Sequence, residues 1–110
     1  MKRGKKHRLE RGGWVVSDAA EFLGLSQDEA RFVEMKLALA AGVRQFRERR
    51  GLTQAAMAKR LGSSQSRIAK MEAGDASVSI DLMIKSLLEV GAKTADIARL
   101  IRTPRSFHAA

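Results

Sequence analysis

A chain of 110 residues, 45% of them hydrophobic, can build one compact domain around one core, and is too short for the large lined cavity of most metabolic enzymes. It has no cysteine, which excludes disulfide frameworks, thiol catalysis and cysteine zinc sites; its two histidines, His7 and His108, stand near opposite ends, so no metal, no cofactor and no enzymatic activity are expected. The 21 Lys and Arg against 12 Asp and Glu give a net charge of +9, which points to a polyanionic partner, nucleic acid before a membrane surface.

The charge is uneven. Six cations and one glutamate within residues 1–12 carry +5, so residues 1–13 read as a basic flexible tail, either a solubilising arm or an extra phosphate or minor-groove contact. Trp14-Val15-Val16 is interrupted at once by Ser17, Asp18 and Glu21, leaving no apolar core of a signal peptide, and no stretch approaches about 18 apolar residues. A soluble, cytoplasmic protein without membrane association is expected. Trp14 itself reads as a lid over the bundle, with an exposed anchor for a partner as the alternative.

From residue 14 to residue 102 the chain lacks proline and reads as helical. Ser17–Leu23 forms a short helix with Asp18 and Glu21 at capping-box spacing and Gly24 as its exit. Ser26-Gln27-Asp28-Glu29 is a second capping box, opening a long helix whose apolar stripe is Phe32, Met35, Leu39, Val43 and Phe46. That stripe predicts core, with the alternative that its N-terminal half is a partner surface. Gly51 ends the helix. Thr53 caps a helix running to Leu61, Gly62 breaks it, and Ser63 or Ser64 caps the next, which turns Ile68 and Met71 inward and stops at Gly74. Ser79 caps a helix with Ile80, Met83, Leu87 and Leu88 as its apolar face, and Gly91 follows its end. Thr94 opens a last helix carrying Ile97, Leu100 and Ile101, and residues 103–110 form a C-terminal tail. No alternating run bounded by hairpin turns supports a strand.

Residues 52–74 have the spacing of a DNA-binding helix-turn-helix. Ala58 is small where the second helix crosses closely, Gly62 permits the positive φ of a sharp turn, and Ile68 sits at the elbow of the two helices. The capping serine turns the positive end of the second helix toward an anion.

On these residues the segment resembles the helix-turn-helix of the lambda-repressor-like Xre/Cro regulators. The likeness extends from about Asp28 to Gly91, through Val43-Arg-Gln-Phe-Arg-Glu-Arg-Arg-Gly51 and Ser77-Val-Ser-Ile-Asp-Leu82. It implies an all-α, lambda-repressor-like helix-turn-helix bundle of about five helices that binds double-stranded DNA. The Phe22-Leu23-Gly24-Leu25 turn, Asp28-Glu29 and Lys36-Leu37, ahead of Gly51-Leu-Thr-Gln54, resemble the layout of HigA-type antitoxins. That implies repression of the protein's own operon and a toxin protein as partner.

A wheel of the second helix puts Ile68 and Met71 inside and Ser66, Arg67, Ala69 and Lys70 outside. Gln65, in the first turn, has an amide that can pair with adenine, while Arg67 or Lys70 can donate to guanine or phosphate. Gln65, Ser66 and Lys70 are therefore the base-contact candidates; Ser63, Ser64 and Arg67 are backbone candidates. The resemblance adds Gln54 as a phosphate contact at a helix N-terminus, and places Arg47 opposite the inward Glu72, implying a structural ion pair. Relatives often carry longer polar side chains where this chain has Ser66, Ala69 and Ala73, so base readout is thin. A merely solvated polar face is the competing reading, and a Ser66/Lys70 nucleophile pair has no oxyanion donors to support it.

The sequence thus predicts a repressor that binds pseudo-palindromic DNA as a homodimer, with Leu100 and Ile101 of the last helix as the dimer surface. The alternative is a protein-binding module, a toxin-neutralising antitoxin or a bridging factor, with little specific DNA binding of its own.

Overall fold

The computed structural model describes residues 24 and 26–102. The basic tail, Trp14, the expected Ser17–Leu23 helix and the tail from residue 103 lie outside the described residues. Among the described residues the chain divides into two units between Met35 and Lys36, the second beginning at Lys36. Five helices and no strand occur among the described residues: α1 (Gln27–Arg49), α2 (Gln54–Leu61), α3 (Gln65–Glu72), α4 (Ile80–Glu89) and α5 (Thr94–Arg102).

Local chemistry fixes where these helices begin. At the head of α1 the Ser26 hydroxyl accepts from the Glu29 amide at 3.1 Å and the Glu29 carboxylate accepts from the Ser26 amide at 2.8 Å, the reciprocal box read from the sequence. Thr53 caps α2 and Ser79 caps α4 through the same hydroxyl-to-amide bond. Of the two candidates for α3 the cap is Ser64, whose Oγ accepts from the Arg67 amide at 3.1 Å. The last helix differs from a simple cap by Thr94: Asp96 reaches back and accepts from the Lys93 amide at 2.8 Å, because a carboxylate two residues into the helix reaches the amide just before its start.

In the second unit the core joins Leu39, Val43 and Phe46 of α1 to Met57 of α2, Ile68 and Met71 of α3, and Met83 and Leu87 of α4. The stripe expected on α1 is buried only in this half; Phe32 and Met35 remain 52% and 37% exposed. In their place Ala38, Ala40 and Gly42 are buried as well. Small residues let neighbours close around several sides of this part of the helix, and a single-face periodicity does not register that. A Cβ on Gly42 would stand 2.4 Å from Leu100 Cδ1, so the missing side chain is what lets α5 approach α1.

On α4 the expected face is corrected at one position: Leu88 is 49% exposed while Ser86 is buried. Leu87 and Leu88 are 100° apart on the helix, and with Met83 and Leu87 committed to the core, Leu88 must turn away. Leu100 packs against the core cluster, whereas Ile101 is 36% exposed, so the pair named as a dimer surface is split between inside and outside.

Candidate nucleic-acid interface

The turn between α2 and α3 is set by Gly62, at φ +65°. In that left-handed conformation its amide and the Ser63 amide fold back, the latter onto the Ala58 carbonyl at 2.8 Å, closing α2 and redirecting the chain within three residues. Ala58 is buried where the two helices meet, Ile68 is wholly buried at the elbow, and Met71 follows one turn later. The inner face of α3 is therefore fixed by packing, which determines what its outer face presents.

Gln65, Ser66, Arg67, Ala69 and Lys70 are all exposed. Ser63 and Ser64 are exposed in the turn just before them, with Ser64 satisfying one of the free amides of the α3 N-terminus. These six polar candidates come together on the outer side of α3 and its N-terminal turn. Gln54, the seventh, is half-buried at the start of α2, and its Nε2 donates to Glu72 Oε1 at 3.1 Å.

Glu72 is the hub of this arrangement. Arg47 donates to it through both Nε and Nη2, the latter at 3.1 Å, and spends Nη1 on the Leu52 carbonyl at 2.8 Å. The two side chains are only 12% and 7% exposed. The Glu72 hydrogen bond holds the Arg47 guanidinium above its ordinary pKa, outweighing the opposing effect of burial. The ion pair expected from the resemblance is present, and it binds α1 to α3. Its tie to Gln54 was missed: residues 18 positions apart on separate helices leave no local signal.

Beyond Gly74 the Asp75 carboxylate accepts from the Ser77 hydroxyl at 2.7 Å and the Ser77 amide at 2.8 Å, which holds it below its usual value. Among the described residues no group of three or more acidic or imidazole side chains can hold a metal ion, and no helix is long and apolar enough to cross a membrane.

A helix-turn-helix family model matches residues 43–85, which takes in the end of α1, both helices of the turn and half of α4. No curated protein and no solved structure matches the chain significantly. Fold and family match agree on the class among the described residues: an all-α helix-turn-helix bundle.

Proposed function

We propose that this protein is a sequence-specific transcriptional repressor acting in the cytoplasm, which reads operator DNA with α3 and binds as a homodimer. One observation carries the DNA reading: the only acidic residue of α3, Glu72, is drawn inward by Arg47, so the exposed face from Gln65 to Lys70 is uniformly neutral or positive. On this reading Gln65, Ser66 and Lys70 meet base edges, while Ser63, Ser64 and Arg67 hold phosphates. Gln54 adds a phosphate contact with the amide hydrogen that Glu72 leaves over, its orientation fixed by that carboxylate.

The antitoxin-like layout ahead of α2 supports autoregulation and a toxin partner. A second reading, a module that chiefly neutralises such a partner, is favoured by the exposed Phe32 and Met35, since large apolar side chains left in solvent on one helix suit a protein contact. Co-purification with the product of a neighbouring gene tests it.

The DNA reading is tested by fluorescence anisotropy against the duplex upstream of the protein's own reading frame and a scrambled duplex, at several salt concentrations. A preference of about 10³-fold or more is expected for the upstream DNA, with a steep salt slope on both. Gln65→Ala should reduce that preference by about 1–3 kcal/mol, and removal of residues 1–13 should flatten the salt dependence without changing preference. Equal affinity of the parent protein for both duplexes would count against operator recognition.

A further inference from the structure

Behind the outer face of α3, an open groove of about 370 Å³ runs between the end of α2, the inner edge of α3 and the C-terminal half of α4, walled by Leu61, Met71 and Leu82. That volume falls in the range of sites that take small molecules. On a wheel of α4 the lining residues Leu82, Lys85, Ser86 and Glu89 share one arc of about 100°. Leu82 and Ser86 lie on its core side, Lys85 and Glu89 on its solvent side.

The polar groups of this arc lack partners. Ser86 is 3% exposed, and among the described residues its hydroxyl makes no hydrogen bond, not even to the Leu82 carbonyl one turn back, the usual recourse of a serine inside a helix. A buried hydroxyl without a partner is destabilising, and an occupant of the groove with a polar group to offer relieves that cost. Lys85 and Glu89 stand one turn apart, about 5–6 Å between Cβ atoms, in the order that favours mutual pairing less on a helix. Among the described residues neither enters an ion pair. The groove thus sets a cation, an anion and an unmet hydroxyl beside apolar walls.

We infer that it is a binding site for a free apolar α-amino acid. The carboxylate goes to Lys85, the ammonium lies between Glu89 and the Ser86 oxygen, which are three residues apart on the same arc, and the side chain packs among Leu61, Met71 and Leu82. Ser63 of the turn before α3 lines the same groove, so the occupant touches that turn, the inner edge of α3 and α4 together. It braces the recognition helix and acts as a corepressor, a consequence that rests on the proposed operator binding, whereas the site itself does not.

Titration of the full chain with L-leucine, L-methionine and L-phenylalanine, followed by amide proton–nitrogen correlation spectra, tests the site. At least one should bind with a dissociation constant of about 1 mM and shift the Ser63, Met71 and Ser86 signals together. Leucinamide and isocaproate, which each lack one of the two charges, should bind about tenfold more weakly than L-leucine. Ser86→Ala should weaken binding about fivefold at an undiminished thermal midpoint, because the lost hydroxyl has no partner in the free protein, and Lys85→Gln and Glu89→Gln should each weaken it about five- to tenfold. Lys93→Gln, outside the groove, should change nothing. No binding up to about 20 mM, binding indifferent to all three groove exchanges, or equal binding of the one-charge analogues would overturn the inference. Saturation with the amino acid should raise operator affinity about fivefold or more, and an unchanged affinity would overturn the corepressor role. The two proposals fail separately: amino-acid binding with these sensitivities and no operator preference, with or without ligand, refutes the repressor alone, and operator preference in a chain that binds no amino acid refutes the site alone.

Discussion

Replacing Glu72 with alanine removes the acceptor for two guanidinium hydrogen bonds and for the Gln54 amide, and leaves Arg47 charged and only 12% exposed. Breaking such a buried pair from one side costs about 3–5 kcal/mol, mostly for the cation left without a counter-charge. Arg47 keeps its bond to the Leu52 carbonyl and some access to water, which places the expected loss near 3 kcal/mol. Small domains have about 5–15 kcal/mol in total, so the variant should be marginally folded. In urea titrations followed by far-ultraviolet circular dichroism, with a slope of about 1 kcal/mol/M, the midpoint should fall by about 3 M at unchanged slope. Arg47→Met combined with Glu72→Leu removes both charges and fills the space, and should stay within about 1 kcal/mol of the parent. A loss below about 1 kcal/mol for Glu72→Ala, or a double variant as damaged as the single one, would refute the view that the stranded guanidinium is the cost.

Gly42→Ala should be mildly destabilising alone, because a gain of about 1 kcal/mol in helix propensity is offset by the collision with Leu100. In a Leu100→Ala background the same change should stabilise by about 1 kcal/mol, and strictly additive denaturation energies would argue against the close approach. Asp96 is held below the usual carboxylate value first by the Lys93 amide and then by Arg99. Its folded pKa is depressed, so its contribution is fully present above the unfolded value of about 3.9 and fades as pH falls through the folded one. The thermal midpoint of Asp96→Asn should therefore trail the parent at neutral pH, with the gap closing below about pH 4; a gap constant down to pH 2 would rule out the carboxylate as its cause.

What the sequence made legible follows the range of each interaction. Ser26 with Glu29, Thr53 and Ser79 act on amides three residues away, so their chemistry is written locally. Gly62 and Ile68 sit at fixed offsets in one short motif. Leu88 could not be assigned by type, since adjacent leucines compete for one face and only the packed partner decides between them. The same holds for Gly42, whose role depends on Leu100, 58 positions away, and for the hydrogen bond from Gln54 to Glu72. Phe32 and Met35 keep perfect register with Leu39, yet a repeating pattern carries no mark of where along the helix its cover stops.

The sparse face of α3 bears on the proposed homodimer. On the proposed contacts one protomer offers two or three side chains to bases, and Ala69 adds at most a methyl contact. At about 1–3 kcal/mol per good contact, that discriminates by a few kcal/mol, whereas selecting one site among 10⁶ competitors takes about 8 kcal/mol. Phosphate contacts from Arg67, Gln54 or the basic tail raise affinity for every sequence alike and cannot make up the difference. Two copies double the base contacts, and a homodimer that is weak in solution couples pairing to occupancy of both half-sites. Occupancy should then rise more steeply than first order in protein concentration on a two-half-site operator and only at first order on an isolated half-site. Equal steepness on the two duplexes would refute the coupling and leave the required discrimination to another source.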